Sequence, residues 1–88
     1  MKVKRHDTQK RYLFIQMNGS KIELGFVSLI DAVTQAQRMT RRYFSEHLMA
    51  KSLEVQVMCE TALKDEPRLI TTISAWREGG KRVNIIHL

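Results

Sequence analysis

The sequence predicts an α+β fold in two layers, one helix packed on an antiparallel sheet, in the order β-β-α-β-β-β. Three observations predict it. Ser28 to about Ala50 is the one stretch whose apolar residues recur with the period of a helix. Asn18-Gly19 lies between two apolar runs, the strongest short hairpin signal. The remaining apolar runs alternate or are rich in Ile and Thr, and turn residues bound them.

Residues 1–10 carry few apolar groups and are expected to form a mobile basic arm, leaving 11–88 as a single α+β domain. Arg11–Met17 and Ile22–Val27 form the first hairpin. A two-residue loop at Asn18-Gly19 would set Ile15 opposite Ile22, Leu13 opposite Leu24 and Tyr12 opposite Gly25. Leu13, Ile15, Met17, Ile22, Leu24 and Phe26 would then share the core face. The other face would carry Tyr12 and Phe14 beside Gln16, Lys21 and Glu23.

The helix comes next. At ~100° per residue, Leu29, Ala32, Val33, Ala36, Met39, Thr40, Tyr43, Phe44 and His47 share one broad face. Arg38, Arg41 and Arg42 fall on the opposite side. Ser28 can cap the first turn, with Asp31 three residues on, and Lys51 complements the far end. Leu53–Leu63 alternates as a third strand, with Cys59 inward. The segment 64–68 is a turn containing Pro67, and Leu69–Arg77 is a fourth strand. Gly79-Gly80 turns the chain into Lys81–His87, which would place Trp76 opposite Val83. Trp76 and Ile70 would then lie on the sheet's outer face.

At 88 residues the chain holds one core. The single cysteine excludes a disulfide framework and a multi-cysteine zinc site, and fits a reducing, cytoplasmic setting. No apolar run approaches ~20 residues, so no membrane span is expected. The basic start is not followed by the hydrophobic region of a signal peptide.

Catalytic patterns are missing from the sequence. His6, His47 and His87 are scattered, His47 is expected to pack within the core, and Cys59 reads as a buried thiol. Phosphate-binding glycine loops, HExxH and GxSxG do not occur. A non-enzymatic protein without cofactor or metal is the expectation.

The net charge of +6 favours an anionic partner. It gathers in clusters: Lys2, Lys4, Arg5, Lys10 and Arg11 in and beside the arm, and Arg38, Arg41 and Arg42 on the helix. The sequence therefore points to a nucleic-acid-binding module, DNA or RNA, with phosphate contacts from these residues and duplex favoured on the helix ridge. Tyr12, Phe14 and Trp76 are candidates for base stacking or for an interface, including a homodimer.

Residues 20–85 resemble small β-β-α-β-β proteins of phages and mobile elements, including anti-CRISPR inhibitors. The carriers are Ser28-Leu29 opening a helix with Ala32 and Ala36, then Ile73-x-x-Trp76-x-x-Gly79-Gly80-Lys81-Arg82. The resemblance implies an inhibitor that blocks a nucleic-acid-processing complex. Such inhibitors are often acidic mimics of DNA, from which this basic chain departs. That reading makes the partner an acidic or nucleic-acid-processing protein complex, engaged through the open sheet face.

Overall fold

A computed structural model describes residues 10–60, 66–78 and 82–87. The expected arm with Lys2, Lys4 and Arg5, the expected end of the third strand at 61–63, the start of the expected 64–68 turn and the expected Gly79-Gly80 turn lie outside the described residues. The strands are β1 (Lys10–Met17), β2 (Ser20–Ser28), β3 (Ser52–Cys59), β4 (Arg68–Glu78) and β5 (Arg82–His87), and α1 (Leu29–Glu46) follows β2. They build one five-stranded sheet in the order β2-β1-β3-β4-β5, with every neighbouring pair antiparallel. This is the α+β, β-β-α-β-β-β architecture that the sequence predicts.

The hairpin turn has the chemistry its residues require. Asn18 (φ 52°) and Gly19 (φ 78°) are both left-handed, as a two-residue turn between right-twisted strands needs. Ile15 pairs with Ile22 as expected. Beyond that point the register departs from the even alternation read from the sequence. Leu13 lies opposite Gly25 and Tyr12 opposite Phe26, because the ladder skips Leu24 in a bulge. Gly25 (φ 81°) takes the left-handed conformation there. The bulge resets the faces: Leu24 and Val27 both pack on the core, and Phe26 is 69% exposed on the other side. Leaving Phe26 outside forgoes about 2 kcal/mol of burial, which the inward Val27 offsets.

A second skip occurs in β4, where Val57 pairs with Thr71 and Met58 with Leu69. Ile70 therefore packs against the core cluster, not on the outer face. The last hairpin differs too. Glu78 pairs with Arg82, so Trp76 lies opposite Asn84, and Val83 and Ile85 pack on the core side. One residue more in the connection exchanges the faces of the returning strand.

Helix α1 is opened by Ser28, whose Oγ accepts from the Asp31 N–H at 3.2 Å. Ala32, Ala36, Thr40 and Phe44, at every fourth residue, form its buried line. Three of the four are small, which lets the helix lie close over β1, β2 and β3. The buried Thr40 hydroxyl donates to the Ala36 carbonyl at 2.8 Å, so no polar group is orphaned there. Below the helix, Leu13, Ile15, Val55, Val57 and Ile73 have no solvent exposure and form the centre of the core.

The helix ends at Glu46, earlier than the periodicity suggests, and Leu48 and Met49 are exposed. No basic residue occupies its last turn, so the role read for Lys51 falls elsewhere. Arg77 of β4 reaches across instead. Its guanidinium donates to the Phe44, His47 and Ala50 carbonyls, each at 3.0 Å, and lies 5.1 Å from the Phe44 ring centre. A cation from the sheet thus caps the negative helix end. His47 caps the helix and is exposed, contrary to the packed position expected, with its ring stacked on Tyr43 at 4.1 Å.

Candidate nucleic-acid interface

Arg38, Arg41 and Arg42 are all exposed on the solvent side of α1, where the helical period placed them. Their neighbours decide how much of that charge is free. Arg42 pairs with Glu46 one turn on, at 3.6 Å. Among the described residues, no carboxylate pairs with Arg38 or Arg41. Lys21, by contrast, is held by Glu60 at 2.8 Å and Glu23 at 3.3 Å, and hydrogen bonds to those two raise its pKa. Two of the three ridge arginines therefore present donors to solvent without an ion-pair partner among the described residues.

Lys10 and Arg11 are not part of that ridge. They open β1, opposite Ser28 and Val27, at the start of the helix. Arg38 lies ten residues beyond Ser28 in the chain, roughly 15 Å along the helix axis. An anion spanning both clusters would have to run along the helix.

The aromatic candidates do not form one platform. Phe14 is on the outer face but only 2% exposed, and the Lys21 ammonium lies 4.5 Å from its ring centre. Its covered face is closed to a base. Tyr12 is 41% exposed and pairs with Phe26. Trp76 is half-buried beside Ser52 and Asn84, two strands away and at the far end of the sheet. Eight residues of β3 and its extension separate the Ser52 row from Glu60, which bonds Tyr12, a run of roughly 26 Å. Between them lie first the covered Phe14 and the half-buried Met58 and then a polar stretch of the outer face with Gln16, Gln56, Thr72 and Ser74.

A groove that the sequence did not announce runs beside the ridge. Its larger part, about 510 Å³, lies between the second half of α1 and the β1–β2 turn. Met17, Ile22, Met39 and Tyr43 give it an apolar lining, with Arg42 and Glu46 also contributing. A smaller part of about 350 Å³ continues past Gln35 and Arg38, sharing Met39 and Arg42. The only trace in the sequence is the i, i+4 pair Met39 and Tyr43 at the border of the apolar face. That pair reads equally as core.

Among the described residues, no group of three or more His, Cys, Asp or Glu side chains could hold a metal ion. Also among them, no helix is long and apolar enough to cross a membrane. No family model, no curated protein and no solved structure matches this chain.

Proposed function

We propose that this chain is a non-enzymatic nucleic-acid-binding module whose helix arginines contact the phosphate backbone, with the basic N-terminal segment adding to the contact. One observation supports it above the others: Arg38 and Arg41 are exposed and without a carboxylate partner among the described residues, on a ridge completed by Arg42. Guanidinium groups present forked donors that match phosphate oxygens, and just over one helical turn, about 6 Å, separates Arg38 from Arg42 along the axis.

The test is a salt titration of binding to DNA and RNA, on the parent and on the triple variant Arg38, Arg41 and Arg42→Gln. The variant is expected to keep its fold and melting temperature, since all three side chains face solvent. Its affinity should drop, and the slope of log K against log salt should become shallower by about two to three. The Glu46 pairing of Arg42 favours the lower figure. An unchanged slope would overturn the reading.

A second reading has its own support. Phe26 and Tyr12 are adjacent exposed rings at the β2 edge, and Leu69 is also exposed on the outer side. They suit a protein-interaction module of the phage-inhibitor kind, or a second copy of the chain. Binding of that type tolerates salt, which separates the two readings.

A further inference from the structure

We infer that the groove between α1 and the β1–β2 turn holds an unpaired base, so that the ligand of the arginine ridge is a single strand of nucleic acid. The inference rests on the ridge reading and names its ligand, in place of the duplex expected from the sequence.

The argument starts from what a duplex would leave unused. A paired, stacked helix hides its base faces and presents mainly phosphate and sugar. It would cover Arg38 and Arg41 and leave an apolar cleft empty beside them. A single strand exposes flat, weakly polar base faces that gain from contact with apolar and aromatic side chains. Met17, Ile22, Met39 and Tyr43 offer such a lining. Methionine is adaptable and polarizable, and its sulfur makes favourable contacts with aromatic rings. The volume, about 510 Å³, falls within the range of small-ligand sites.

Charge along the groove sets the direction of the strand. At the Gln35–Arg38 end, Arg38 has no carboxylate partner among the described residues; Arg42 lines both parts and pairs with Glu46 at 3.6 Å, and the far end also carries the stacked Tyr43–His47 pair. A carboxylate accepts hydrogen bonds only and repels phosphate. Phosphates therefore belong at the Arg38 end, and the base at the Glu46 end, where its amino or imino donors meet an acceptor. Asn18 and Ser20 on the turn add further hydrogen-bonding groups. One ligand class, a base attached to a phosphate backbone, satisfies both ends.

The test keeps the number of phosphates constant. Binding is measured for single-stranded DNA and RNA of mixed sequence, an abasic strand of equal length, and a duplex of equal phosphate count. Base-bearing single strands are expected to bind about tenfold or more tighter than the abasic strand, with the same salt slope. The duplex should bind no better than the abasic strand. Ser20→Leu, which places bulk at the exposed turn, should bring the ratio of base-bearing to abasic affinity toward one while leaving the slope in place. Equal affinity for abasic and base-bearing strands, with the slope still reduced in the triple arginine variant, overturns the groove assignment and leaves the ridge standing. A slope that the triple variant does not move overturns the ridge, and with it the phosphate half of this assignment.

Discussion

Arg77 holds together parts of the chain that the ladder alone does not join. Its backbone N–H donates to the Lys51 carbonyl at 2.8 Å, while its guanidinium satisfies carbonyls of Phe44 and His47 at the helix end. Removing it leaves those carbonyls to water and strips the cover from Phe44. Arg77→Leu is therefore expected to cost about 2 kcal/mol by chemical denaturation, a partly exposed charged network being worth less than a buried one. Faster amide exchange over the last turn of α1 should accompany the loss. A variant that melts like the parent, with its last turn still protected, would show that this contact is dispensable. Neither Arg77 nor Lys21 was legible from sequence. Each acts on residues seven or more positions away, Lys21 on Phe14 and Glu60, Arg77 on Phe44, and no local pattern records such a meeting. The helix arginines were legible because period alone puts them outside.

At the scale of the element, α1 was read nearly in full, because its apolar stripe and Ser28 cap are local signals. The strands were found, but two of their faces were assigned wrongly beyond a bulge. Alternation fixes a face only while the ladder stays in step. At Leu24-Gly25 and at Ile70 one strand carries an extra residue. Gly25 was visible as a glycine, and its left-handed φ of 81° is what makes the bulge. Space is not the constraint, since an added Cβ would have no atom within 4 Å. The cost is in the backbone, so Gly25→Ala should destabilise by about 1 kcal/mol, a fall of about 4–8 °C in Tm for a domain of this size. Gly25→Asn should lose less, because Asn tolerates the left-handed region. Equal melting for Gly25→Ala and the parent would remove the glycine from the account.

Taken whole, the molecule is a slab of 46 × 35 × 17 Å with its helix over one half of the sheet. The fully buried side chains of the sheet lie on β1, β3 and β4, and α1, with its own buried line, covers β1, β2 and β3 more than it does β4. Protection from hydrogen exchange should follow that layout. Amides of β1 and β3 facing one another, such as Ile15 and Val57, should exchange last, and β5, at an edge away from the helix, should exchange first among the strands. Uniform protection across β5 and β3 would mean that something else covers β5. The fold class was readable because composition, turns and one amphipathic segment agreed. The groove was not, because it exists only where the β1–β2 turn comes beside the second half of α1. Its Met17 and Met39 are 22 residues apart in the chain.

The bulge in β2 has a consequence for the behaviour of the protein at high concentration. β2 is an outer strand, and a straight outer strand offers its free N–H and C=O groups to any other chain. At Leu24-Gly25 that row of groups is broken by a left-handed residue, and Lys21 and Glu23 charge the stretch before it. A foreign strand could pair for only a few residues on either side before losing step. The same kink that puts Phe26 in solvent thus interrupts the template that this edge of the sheet would offer a growing fibril.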